Sequence, residues 1–189
     1  YRDFADHHTL AARVYPEGTV TVVSFSKWLG LAGLRLGALV AVPELIERIG
    51  AASIAPLGAN VISQKAALAG LAVKKEWMAG VQAIQRANQA TVKRAVEAIP
   101  GMSVAVYPSQ ANFLVIECEA TGLKPEAIVA ALSADGIQVR QGAYHTPRFG
   151  HRFIKVSTTV PRAWADTLAA KLPEAIERAR SLKDVPPLF

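Results

Sequence analysis

The sequence holds a single cysteine, Cys118. That excludes an intrachain disulfide framework and a multi-cysteine zinc site, and it fits a reducing cytoplasm. Charged residues make up only 19% of the chain, which excludes intrinsic disorder, because disordered chains are polar and highly charged. Apolar runs are short, such as the strand-sized residues 36–42, so no membrane-spanning helix is expected. Basic residues outnumber acidic ones, 21 to 15, but they are scattered, as Lys65, Arg86, Arg140 and Arg178 are, and form no Lys/Arg-rich run. A nucleic-acid partner needs them clustered on one face, so none is expected; a mildly basic protein acting on anionic small molecules is the better use of this charge. No Gly-Lys-Ser/Thr sequence occurs, which excludes a Walker-type phosphate loop. The start has neither an initiator methionine nor a basic-then-apolar leader, so the chain reads as a processed product or a piece of a longer polypeptide.

What is present is a large apolar fraction, 51% of 189 residues, enough for one large domain or two small ones around a sizeable core. Residues 19–25 and 38–42 read as buried strands, with Gly30, Gly33 and Gly37 between them. Pro43 suits the first position of a helix, and Pro56 and Gly58 break the chain. A helical pattern then runs over residues 60–99, as one helix or as two broken near Gly80, and stops at Pro100-Gly101. Beyond it, residues 103–107, 112–117, 137–140 and 153–157 read as short strands. Residues 125–134 and 161–182 read as helices, the last with Thr159 as its N-cap and with Pro173 as a kink or a division. Trp77 and Trp164 fall at apolar helical spacings and read as packing residues. Strands mixed with helices and closed by a C-terminal helix describe an α+β lobe.

The stretch that carries chemistry is Ser24-Phe25-Ser26-Lys27-Trp28-Leu29-Gly30-Leu31-Ala32-Gly33-Leu34-Arg35-Leu36-Gly37. A lysine at the end of a buried strand is costly unless it has a task, because burial disfavours the ammonium. A lysine amine adds to carbonyls to form Schiff bases. Arg35 offers a planar fork suited to phosphate, Ser24 and Ser26 add hydroxyls, and the glycines let the backbone turn tightly beside a ligand. A Schiff-base lysine with phosphate-binding groups points to pyridoxal 5'-phosphate (PLP).

The same stretch resembles the lysine signature of the fold-type I, PLP-dependent class I/II aminotransferases, S-x-S-K followed by G-x-x-G-x-R-x-G, and the resemblance extends over nearly the whole chain. It is nearest the histidinol-phosphate aminotransferase-like branch. The resemblance implies an α/β fold. Residues 1–80 would complete a large PLP-binding domain, mainly a parallel sheet with helices, together with a connector helix; residues 81–189 would form a small α+β domain. It implies that Lys27 holds the cofactor as an aldimine, that Ser24 and Arg35 hold its phosphate with Ser26 beside them, and that Tyr1 bonds its 3-hydroxyl. An aspartate for the pyridine nitrogen is expected three positions before Tyr1. The resemblance also implies a homodimer and an upstream segment supplying most of the sheet, so that these residues alone are not a working enzyme.

Substrate groups are expected in the second half. Ala111-Asn112-Phe113 matches a small-domain strand motif, and Arg140 matches an arginine that meets a distal anionic group of the substrate. Where the family carries an arginine for the substrate α-carboxylate, this chain has Lys155, with Arg152 and Arg148 nearby as alternatives. Lysine meets a carboxylate as a point charge, not as a fork. The expected reaction moves an amino group between an amino acid or amino-alcohol phosphate and a 2-oxo acid. A lyase, decarboxylase or cyclase on the same scaffold is the alternative, along with a non-catalytic regulator half. His145 and His151 read as solvated loop residues rather than catalytic ones, and Trp28 as the floor of the pocket.

Overall fold

The computed structural model describes residues 1–53, 58–182 and 185; Pro56 lies outside them. The chain divides into two compact units, Tyr1–Gly80 and Val81–Phe189. Among the described residues no helix is long and apolar enough to cross a membrane.

In the first unit, strands β1 (Thr21–Ser24) and β2 (Gly37–Val40) pair antiparallel, from Thr21 opposite Val40 to Ser24 opposite Gly37. The sheet implied for the large domain is represented among the described residues by this pair. Both strands are shorter than the apolar pattern suggested, and β1 alternates between half-buried and exposed positions. A ribbon with a single layer covers only one side of each strand, and Val22 is accordingly 72% exposed. Helix α1 (Pro43–Ala51) begins at its proline, as expected, after the extended Val42. Helix α2 (Val61–Ala72) is capped by Asn60, whose side chain accepts the Ser63 N–H at 2.8 Å.

The long helical pattern does break, but at Val73 and not near Gly80. Helix α3 (Lys74–Glu97) runs straight through that glycine. At the break, Lys74 and Trp77 reach Asp3 and Trp28 of the same unit. Those tertiary contacts override continuity, whereas a glycine inside a helix merely weakens it.

The second unit holds a four-stranded antiparallel sheet in the order β3-β4-β6-β5: β3 (Ser103–Val104), β4 (Phe113–Glu117), β5 (Arg140–Gln141) and β6 (Phe153–Ser157). Helices α4 (Pro125–Ala134) and α5 (Arg162–Ser181) complete it. Alternation decides the faces. Leu114, Ile116, Ile154 and Val156 point into a core shared with Ile128 and Leu132 of α4 and Leu168, Leu172 and Ile176 of α5. Phe113, Val115, Phe153 and Lys155 occupy the other face and are half-buried.

Two of the expected strands are shorter than their patterns: only Ser103–Val104 and Arg140–Gln141 pair. Pro161, not Thr159, stands at the N-cap of α5, and Thr159 Oγ1 accepts from Asn112 Nδ2 at 3.4 Å instead. Pro173 does not divide α5: Leu172, Ala175 and Ile176 around it are fully buried, and their burial outweighs one lost backbone bond. Trp77 and Trp164 are 47% and 64% exposed, so neither is the core residue that its spacing suggested.

Candidate active site

β1 ends at Ser24, and its Oγ accepts the Ser26 N–H at 3.2 Å. This local turn carries the chain off the strand. Phe25 and Trp28 are buried, with ring centroids 5.9 Å apart. Between them Lys27 is exposed. The lysine is therefore presented past the strand end and not sunk in it. The turn is anchored through Trp28, whose carbonyl accepts the Trp77 indole N–H at 2.7 Å.

A cavity of about 470 Å³ opens here, lined among others by Tyr1, Asp3, Ser24, Lys27, Trp28 and Lys74. Three of the expected cofactor-binding residues, Tyr1, Ser24 and Lys27, thus share one cavity, and Trp28 lines it as anticipated. Ser26 and Arg35 are not among its lining residues. Asp3 and Lys74 are, although no local pattern marks them; Lys74 comes from a distant stretch of the chain, and only the break before α3 brings it here. The volume falls in the usual range for small-molecule sites. An amine, a hydroxyl and a phenol among the lining residues are a suitable donor set for an aldehyde-bearing pyridine ring with an ionised substituent.

Arg35 sits in the glycine-rich loop with φ 50° and is the one non-glycine residue with positive φ among those described. Its guanidinium donates to Ala32 O at 2.9 Å. A left-handed arginine costs about 1–2 kcal/mol, at a place where glycine would fit without strain.

The second unit brings Arg140 and Lys155 directly opposite each other on neighbouring strands. Like charges so paired are unfavourable on their own. Lys155 Nζ lies 4.1 Å from the Phe113 ring centroid, and the Arg140 guanidinium 4.8 Å from that of Tyr144. His145 stacks on Phe153 at 6.5 Å. Partial burial, then the charges of Lys155 and Arg140, push its imidazole below the usual histidine range. Arg152 differs from these residues: its Nε pairs with Glu119 at 3.1 Å and Glu117 at 3.5 Å. His151 is exposed, 3.6 Å from Glu119.

The family described as "Aminotransferase class I and II" matches residues 1–172 of this sequence. The chain belongs to that family. An aromatic amino acid aminotransferase of Mycobacteroides abscessus is 33% identical over 171 residues, covering 86% of this chain and 45% of the relative. A histidinol-phosphate aminotransferase of Rhodospirillum centenum is 32% identical over 146 residues, 77% of this chain and 38% of that protein. The chain thus spans less than half the length of these curated relatives. Among solved structures, the α-aminoadipate aminotransferase of Thermus thermophilus, complexed with N-(5'-phosphopyridoxyl)-L-leucine, superposes with a TM-score of 0.78 at 21% identity, over 97% of this chain and 50% of that one. The L-threonine-O-3-phosphate decarboxylase of Porphyromonas gingivalis superposes at 0.77 with 22% identity, over 94% and 53%. These two likenesses establish the α/β fold of class I and II aminotransferases, whose cofactor is PLP.

Proposed function

We propose that this chain carries the cofactor lysine and the substrate-carboxylate strand of an enzyme that transfers an amino group between an amino acid or amine and a 2-oxo acid. The observation that carries the reading is the shared cavity of Lys27, Ser24 and Tyr1, with Lys27 inside the S-x-S-K and G-x-x-G-x-R-x-G pattern. PLP, when bound, supplies an electron sink for charge developing at the substrate α-carbon.

The chain's own residues would do the rest. Lys27 Nζ would hold the cofactor, and its free amine would move the proton of the substrate α-carbon, first as general base and then as general acid. The hydroxyl of Ser24, in the cavity lining, would meet the phosphate; Ser26 and Arg35, which the resemblance assigns to it, lie outside that lining, and the strain at Arg35 supports a use for its side chain. The Tyr1 phenol bonds the ring hydroxyl. Lys155 meets the substrate carboxylate and Arg140 a second anionic group. Arg152, already paired with Glu117 and Glu119, is the weaker choice for either task. Two relatives are named for aromatic amino acids and histidinol phosphate, so those amino donors come first in any screen. Lys155 in place of a forked arginine favours the second reading, a lyase or decarboxylase on the same scaffold.

The test uses the complete polypeptide that contains these residues. Added PLP should give a visible absorbance band, and borohydride should fix the cofactor to Lys27, located by peptide mass. Fixation on another lysine, or no band, overturns the assignment. Conversion of a 2-oxo acid to an amino acid separates the transferase from the lyase.

A further inference from the structure

Tyr1 and Lys27 border short elements. Tyr1 precedes a single 3-10 turn, Arg2–Phe4, closed by the Phe4 N–H donating to Tyr1 O at 2.9 Å. Lys27 lies in the turn after a four-residue strand. Both residues line one cavity.

The first turn of α3 joins them. Lys74 Nζ pairs with Asp3 Oδ1 at 2.6 Å and lies 4.7 Å from the centroid of the Trp28 ring. Three residues on, Trp77 Nε1 donates to Trp28 O. Positions three apart share one helix face, so a single face of α3 grips the residue next to Lys27 twice and the residue two beyond Tyr1 once. Trp28 is 4% exposed and packed on Phe25, and Phe4 is 1% exposed, so both gripped segments have a buried anchor. The Lys74 ammonium touches both segments at once. An exposed ion pair contributes little stability, and Lys74 and Asp3 retain 33% and 22% side-chain exposure; the pair's value is geometric.

We propose that Asp3, Lys74 and Trp28 form a clamp, with Lys74 as a positioning residue that sets the Tyr1 phenol relative to the Lys27 amine. The proposal rests on the reading above for its catalytic meaning, but the clamp itself can be tested without the cofactor. In the complete polypeptide, hydrogen exchange of the cofactor-free protein should rise severalfold at residues 2–5 in Lys74→Met and Asp3→Asn, with β1 unchanged.

In the PLP-loaded protein, the pH midpoint of the visible band should move in both variants, and PLP should dissociate about tenfold faster. Lys74→Arg, which keeps the charge for both Asp3 and the Trp28 ring, should restore both. Unchanged exchange at residues 2–5 overturns the clamp. Increased exchange there, with the spectral midpoint and PLP dissociation unchanged, reduces the pair to a structural contact and overturns the positioning role. If Lys74→Met does not fold, Lys74→Gln reads the same quantities. Failure of the functional reading is distinct: PLP is then not fixed to Lys27 in the unaltered protein, while the exchange result still decides the clamp.

Discussion

Lys155 and Arg152 lie three residues apart, and their surroundings separate them. Arg152 is held by two carboxylates, whereas Lys155 stands against a second cation and an aromatic face. Replacing Lys155 by Ala should therefore reduce the preference for a carboxylate substrate over its decarboxylated amine by about 10- to 100-fold, the worth of a charge-assisted bond. Arg152→Ala should leave that preference unchanged. Steady-state rates with the two substrates decide the matter. A carboxylate bound at Lys155 would also offset the charge that lowers the His145 titration, so the midpoint read by proton NMR should rise on binding.

Cys118 makes a contrasting case at the same scale. Burial first, then Glu117, Glu126 and Glu119, push its thiol up to about 12. A disulfide-exchange reagent at pH 8 should not label it until the chain unfolds. Because the folded state retains the proton longer than the unfolded one, Cys118 has no pH-dependent effect below about 9 and destabilises the fold as pH rises from there toward 12. Thermal midpoints measured over that window check the sign. The cysteine's chemical silence was not legible in the sequence, since burial comes from the core around it.

At the scale of elements, α3 shows how a polar helix face can be structural. Gln89 Nε2 donates to Ser109 O at 3.1 Å and its Oε1 accepts the Ser109 N–H at 3.0 Å. Gln85 donates to Ala111 O, and Asn88 Nδ2 donates to Thr158 O at 3.0 Å and Val160 O at 2.8 Å. These neutral side chains supply the backbone of residues 109–111 and 158–160 with partners that no strand provides. Gln89→Leu should cost about 1–3 kcal/mol by orphaning the buried Ser109 N–H, while Ser109 O keeps the Arg86 guanidinium at 3.0 Å. Urea unfolding measures the loss, and a neutral result would mean the loop finds other partners. The strand and helix patterns around this seam were readable: Pro125–Ala134 and Phe153–Ser157 fall where periodicity and punctuation put them. The seam itself was not, because polar residues on a helix ordinarily face water.

Across this chain, burial among the described residues is distributed unevenly. The large core cluster lies within the second unit, from Val92 to Ala179. In the first unit the buried apolar side chains are Phe4, Phe25, Trp28, Ala67 and Met78 among the described residues. Amide exchange should accordingly be slowest in β4, β6, α4 and α5, and faster in β1 and β2. A ligand that binds only the folded state stabilises what it touches, so PLP should slow exchange mainly over residues 1–4 and 21–28. Mass spectrometry of exchange with and without PLP tests this, and uniform protection of both units would contradict it.

The order of residues by itself determined the chemistry on offer and much of the element list: a lysine preceded by two serine hydroxyls and followed by a glycine-rich arginine loop, helices begun by Pro43 and Pro125, a strand at 153–157. These are local properties, set by backbone preference, periodicity and side-chain type. The tertiary structure alone decided that Lys27 is exposed, that the long helical pattern breaks at Val73, that α5 continues through Pro173, and that Asp3 and Lys74 enter the cavity. Each of these outcomes depends on contacts between distant segments, whose packing energy exceeds the weak local preferences it overrides.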